Sequence, residues 1–197
     1  MKKISFYLSA IVLSIVLASC DFNKKENLAI EEDFELVKVS DYGIHIPNYM
    51  KKADNLNDDA SLQYQNIFKE TYVIVIDESK EEFIDAFKEL DMYDESVSVV
   101  KNYREIQMGS LTEAIQVKSQ SAPRSVNING LEAELVEIDG HAEGVTPGIA
   151  YFLAFIEGDD NVYMIMAWTL LKRKDKYRDT FEKTIQSFRL LDSSSGA

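Results

Sequence analysis

"GIAYFLAFIEGDDNVYMIMAWTLL" (residues 148–171) contains two long apolar runs, 148–156 and 161–171, joined by Glu157-Gly158-Asp159-Asp160. A strand with one face in water alternates apolar and polar residues. These runs barely alternate, so they read as central strands covered on both faces, joined by a tight polar turn. What covers those faces must come from the rest of the chain.

Just upstream, "RSVNINGLEAELVEI" places Asn129-Gly130 between two alternating runs, the strongest short signal for a β-hairpin. Downstream, Tyr177, Phe181, Ile185 and Phe188 recur at helical spacing and predict a closing helix. In the first half, "FELVKV" (34–39), "YGIHIP" (42–47), "SLQYQNIF" (61–68) and "TYVIVIDES" (71–79) read as strands, with links at Ser40-Asp41 and Lys69-Glu70. Two helices follow, one striped by Phe83, Phe87 and Leu90. The other is striped by Val97, Val100, Tyr103 and Ile106 and ends near Gly109. Residues 114–119 read as irregular or a short strand. The order strands, helices, strands, helix predicts the α+β class: an antiparallel β-sheet with helices packed on its faces. Ten Phe, ten Tyr and one Trp support a substantial core.

"YGIHIP", the hairpin "VNINGLEAEL" and the final "YRDTFEKTIQSFRLL" resemble the PsbP-like fold. That fold is shared by a thylakoid-lumen photosystem protein, a yeast nuclear-import cofactor and bacterial lipoproteins of the DcrB type. The resemblance covers residues 34–191 and implies an α/β/α sandwich. It also implies a protein that binds or assists other proteins rather than catalysing a reaction; no family functional residue maps onto this sequence.

The N-terminus carries an address. Lys2 and Lys3 precede an uncharged run from Ile4 to Ser19, the layout of a secretory signal. Leu17-Ala18-Ser19-Cys20 resembles the lipobox of bacterial lipoproteins, which implies cleavage before Cys20 and acylation of its thiol. Two or more acyl chains anchor stably, because each buried methylene contributes about 0.8 kcal/mol. The expected organisation is a signal peptide over 1–19, lipidated Cys20 with a flexible tether over 20–33, one domain over 34–191 and a disordered tail over 192–197. The chain would sit in a bacterial cell envelope, held to a lipid bilayer through Cys20, with its domain outside the cytoplasm. Cys20 is the one cysteine, so its acylation leaves no thiol for a disulfide or a metal.

The formal charge is −13, and loss of residues 1–19 would remove two bases and no acid. Such a chain has no general electrostatic grip on nucleic acid, and a charged partner would be basic. Acids cluster between Asp77 and Glu95. Bases cluster in "KRKDKYR" (172–178), where Lys172, Arg173, Lys174, Lys176 and Arg178 form a candidate partner surface. Bases at the start of a helix oppose its macrodipole, so this run has another purpose: pairing with the acidic helix, a partner or lipid headgroups.

No nucleophile–histidine set, Gly-x-Ser-x-Gly elbow or glycine-rich phosphate loop is present, and no cofactor is expected. His45 reads as a surface or edge-strand residue. Asp139, His141 and Glu143 in "DGHAEGVTPG" are candidate ligands for a divalent metal, set against the simpler reading of a long hairpin loop whose polar groups face water. The sequence thus predicts a non-enzymatic accessory or protein-binding module. The alternative is a small-ligand or metal-binding protein that uses the 139–148 loop or a helix/sheet cleft lined by Tyr151, Tyr163 or Trp168.

Overall fold

The computed structural model describes residues 33–142 and 147–191. The expected signal segment, Cys20, the expected tether up to residue 32, Glu143 and residues 192–197 lie outside these. In chain order the elements are β1 (Phe34–Val39), β2 (Tyr42–Pro47), β3 (Lys51–Lys52), β4 (Leu62–Asn66), β5 (Thr71–Ser79), α1 (Lys80–Glu89) and α2 (Val99–Ala114). Next come β6 (Ile115–Gln120), β7 (Arg124–Ile128), β8 (Leu131–Ala142), β9 (Ile149–Glu157) and β10 (Asn161–Leu170). A 3-10 turn (Leu171–Arg173), α3 (Lys174–Gln186) and β11 (Arg189–Leu190) complete the described chain.

The two apolar runs are the middle of the larger sheet. Its order is β3-β4-β5-β10-β9-β8-β6, and β7 also pairs with β8. Every pairing is antiparallel. Alternate side chains divide between two cores. Ala150, Phe152, Ala154 and Ile156 of β9, with Tyr163, Ile165 and Ala167 of β10, join Tyr177, Phe181 and Ile185 of α3. Tyr151, Leu153, Phe155, Val162 and Met164 join Phe83 of α1 and Val100, Tyr103 and Met108 of α2. Both faces are apolar because both are covered, which is why the alternation disappears from the sequence.

A single sheet does not account for all the strands. β1, β2 and β11 form a separate three-stranded sheet, and Tyr42, Ile44 and Ile46 of β2 bring it into the same core as α3. Phe188, just past α3, stacks on Tyr42 at 5.2 Å. β2 lies between β1 and β11, so His45 is on a central strand of this small sheet, and its backbone N–H donates to Ser187 Oγ at 2.8 Å. β3 and β11 are two residues long, too short to leave a period in the sequence.

The hairpin turn is built as its residues require. Asn129 and Gly130 have φ of 50° and 96°, the left-handed pair that two-residue hairpins need, and Ile128 stands opposite Leu131. Asn129 Nδ2 also donates to the carbonyls of Gln186 and Phe188, tying the turn to the end of α3. Gly140 serves close approach instead: a Cβ there would meet the Gln116 carbonyl oxygen at 2.8 Å, where β6 shifts register against β8. Segment 115–120 is strand, and α2 continues five residues beyond Gly109 to Ala114.

Candidate functional site

The proposed metal ligands part company. Asp139 and His141 belong to β8 rather than to a loop, facing Ser119 and Gln116 of β6. The Asp139 carboxylate accepts from Lys174 Nζ at 2.7 Å and from Ser119 Oγ at 3.1 Å. It is therefore already neutralised by an ammonium group. Glu143 lies outside the described residues. Among the described residues, no group of three or more His, Cys, Asp or Glu side chains is placed to hold a metal ion.

The basic run is an internal tie as much as a surface. Lys174 bridges Glu137 at 3.1 Å and Asp139 at 2.7 Å, and Arg178 pairs with Glu137. Arg173 meets Glu70 at 3.2 Å and donates to the Lys69 carbonyl at 2.7 Å. Burial alone would raise the Glu137 carboxyl, but hydrogen bonds from Arg178 and Lys174 outweigh it and hold the group below the usual carboxylate range. These bases pair with β8 and the β4–β5 turn, not with α1. Lys172 and Lys176 remain exposed. The unfavourable position of the bases at a helix start is offset by ion pairs to another layer.

The aromatic candidates do not line one cleft. Tyr163 lies in the α3-side core, while Tyr151 and Trp168 lie on the α1–α2 side. Burial, then the adjacent Asp41, pushes the Tyr163 hydroxyl far above its ordinary value. It stays protonated and donates to Asp41. A cleft does open beside α3, bounded by Ala122, Leu135, Glu137, Phe152 and Ile185, with a volume of about 170 Å³. Pockets for drug-sized ligands run from roughly 300 Å³ upward, so this one is small. Wider depressions of about 370 and 510 Å³ lie on the surface around Lys80.

The link between α1 and α2 presents a surface the sequence did not reveal. Leu90 and Val97 fit helical stripes, yet Leu90, Met92 and Val97 are 62%, 58% and 39% exposed. Around them Glu89, Asp91, Asp94 and Glu95 are all exposed, as is Lys88, which pairs with Glu95 at 2.7 Å. The link is firmly held. Asn102, buried in the first turn of α2, accepts from the Asp94 N–H at 2.8 Å, and its Nδ2 donates to the Asp94 carbonyl at 2.8 Å and the Ser98 carbonyl at 3.2 Å. Asp91 turns the chain out of α1 with φ of 57°. The one available signal was "LDMYDE", in which apolar residues are interleaved with acids.

The helices beneath this link are fastened by polar contacts. Tyr103 Oη and Gln107 Nε2 both donate to Glu78 Oε1, at 2.9 and 2.7 Å. Arg104 approaches the buried Glu134 of β8 with its Nε 3.3 Å from Oε2, close for an ion pair though not aligned as a hydrogen bond. Ser125 Oγ donates to the other Glu134 oxygen. Among the described residues no helix is long and apolar enough to cross a membrane.

No protein-family model matches the chain, and no curated protein matches it in sequence. Solved structures do match in fold. The solution structure of cyanobacterial PsbP (CyanoP) from Synechocystis sp. PCC 6803 is similar with a TM-score of 0.56 at 10% identity, over 84% of this chain and 96% of that one. The Saccharomyces cerevisiae Ran-binding protein Mog1p aligns at 0.49 with 13% identity, over 84% of this chain and 100% of its own. LpqN, involved in cell envelope biogenesis of Mycobacterium tuberculosis, aligns at 0.48 with 9% identity, over 81% and 91%. The latter two are looser likenesses. With helices on both faces of an antiparallel sheet and this match to cyanobacterial PsbP, the chain has the PsbP-like α+β fold.

Proposed function

We propose that this chain is a lipid-anchored lipoprotein of a bacterial cell envelope whose domain is a non-enzymatic accessory module that binds a basic protein through the α1–α2 link. The observation that carries the reading is the exposure of Leu90, Met92 and Val97 beside Glu89, Asp91 and Asp94, on a link held in place by Asn102. Apolar side chains kept in water on an ordered segment supply desolvation energy to a partner. Lys88 pairs with Glu95 at 2.7 Å, and the excess of acid left by Glu89, Asp91 and Asp94 selects the partner's charge. The anchor is supported by Leu17-Ala18-Ser19-Cys20 and the apolar run before it.

A photo-crosslinking residue in place of Met92, in the full chain in living cells, tests the binding. A single basic protein should be captured, and Asp91→Asn with Asp94→Asn should abolish its capture. No adduct, or an adduct indifferent to those substitutions, rejects the site. Mass spectrometry of the N-terminal peptide tests the anchor: it should begin at an acylated Cys20.

A further inference from the structure

We propose that the Ile67–Phe68 turn between β4 and β5 is a second membrane contact, resting on the surface of an anionic lipid bilayer. Phe68 is 88% and Ile67 60% exposed. Their exposure is imposed by the structure. Asn66 Oδ1 accepts from the Phe68 and Lys69 N–H groups at 3.1 and 2.8 Å. Asn66 Nδ2 donates to the Tyr49 carbonyl at 2.7 Å. From the other side, Arg173 grips the Lys69 and Phe68 carbonyls and pairs with Glu70. A turn fastened from two sides holds a benzyl and a sec-butyl group in water.

The surroundings of that turn say what covers it. In a chain with a formal charge of −13, this end carries Lys51 and Lys52 on the adjoining β3, Lys69 in the turn and Lys172 beside Arg173. Lys51, Lys52 and Lys172 are exposed. Lys69 lies 3.6 Å from the centre of the Tyr49 ring. Among the described acids at this end, Glu70 is matched by Arg173, and Glu35, near Tyr64, Asp33 and Asp175, three positions after Lys172, stand beside the bases. Apolar side chains at the tip of a basic surface match a bilayer with anionic headgroups, the bases meeting phosphates while the tip enters the acyl boundary. Tyr72, stacked on Trp168 at 5.1 Å, lies just behind; both rings suit the headgroup level.

The path of the chain agrees. Asp33, the first described residue, accepts from the Asn48 N–H at 2.9 Å, next to the Tyr49 that holds Asn66. The segment leading back to Cys20 therefore joins the domain beside the turn. This last point rests on the anchored reading; the exposed tip and its lysines do not.

The test uses the full chain purified from membranes and reconstituted in vesicles of phosphatidylcholine with or without phosphatidylglycerol, whose negative surface attracts basic residues. An environment-sensitive fluorophore is placed at Phe68→Cys or Ile67→Cys, with Leu90→Cys as control, and Cys20 acylation is read by mass spectrometry before labelling. In anionic vesicles the labels at 67 and 68 should shift to the blue and be quenched by a lipid-borne quencher, while the label at 90 stays aqueous. Lys51→Gln with Lys52→Gln should weaken the signal by roughly five-fold per charge. Labels at 67 and 68 that stay aqueous, or enter neutral vesicles equally well, overturn the inference. So does a blue shift without lipid that grows with protein concentration, which assigns the tip to a second copy of the chain. A free Cys20 thiol defeats the anchored reading alone; acylated Cys20 with an aqueous tip defeats the membrane contact alone.

Discussion

At the end of β5 that leads into α1, Leu90, Met92 and Val97 stand in water among Glu89, Asp91, Asp94 and Glu95. At the end where β5 begins, Ile67 and Phe68 stand in water among Lys51, Lys52, Lys69 and Lys172. The exposed groups are similar, and their electrical surroundings are opposite. β5 has nine residues, about 30 Å of extended chain, which is several times the Debye length of about 8 Å at physiological salt. Each end therefore presents its own field. A net charge of −13 describes neither; it averages an acidic surface with a basic one.

The strongest way to break the acidic end while sparing the basic one is Arg104→Met. It strands the buried Glu134 carboxylate under α2, and removing one partner of a buried pair costs about 3–5 kcal/mol. Urea unfolding should register that loss, and Arg104→Met with Glu134→Leu should recover most of it; a single variant as stable as the parent would discard the pair as a fastening. Asn102→Ala is next. It removes the bonds that hold the link and should cost about 1–3 kcal/mol. Amide exchange over 94–98 should accelerate and the crosslink from residue 92 fade, while labels at 67 and 68 behave as before.

Between the two ends, the α3–β8 tie gives a pH dependence. The folded Glu137 carboxyl lies below its ordinary value of 4.5, so its stabilisation is present above that value and is lost as pH falls through the lowered folded value. Lys174 goes the other way. Burial alone would lower it, but Asp139 and Glu137 raise it above 10.5. Its contribution is complete below 10.5 and is lost as pH rises through the raised value. Glu137→Gln should therefore flatten the acid limb of a stability–pH curve, by about 1 kcal/mol or less because the groups are partly solvated; an unchanged acid limb would assign it to other carboxylates. The smallest effect is expected from Arg173→Gln. This pair is near the surface and should contribute below about 1 kcal/mol, yet its loss should speed exchange of the Phe68 and Lys69 amides and leave residues 94–98 unaffected.

How much of this was legible follows from which forces act locally. Asn129-Gly130 announced its turn because the required φ values exclude most other residues. β5 and β10 announced themselves by apolar content, and α3 by its period. Gly109 predicts an early end to α2 because glycine disfavours helix, yet a Cβ there would meet nothing within 4 Å and the helix continues to Ala114. β3 and β11 were invisible because two-residue strands have no period, and nothing local marked β1 and β2 as belonging to a separate sheet. Asp139 and His141 read as a loop because the glycines around them signal turns, whereas Gly140 is there to let β6 approach β8.

By itself the sequence determined the α+β class, the hairpins, the closing helix and the two covered faces of the central strands, since these follow from local φ preferences and from the spacing of apolar side chains. The tertiary structure alone decided which charges meet and which apolar residues stay outside. Asp139 became the partner of Lys174, thirty-five positions away, instead of a ligand beside His141. Leu90 and Phe68, indistinguishable from core residues by composition, were left in water by the turns that carry them. Charge pairing and exposure depend on distances across the fold, and no local pattern of residues encodes them.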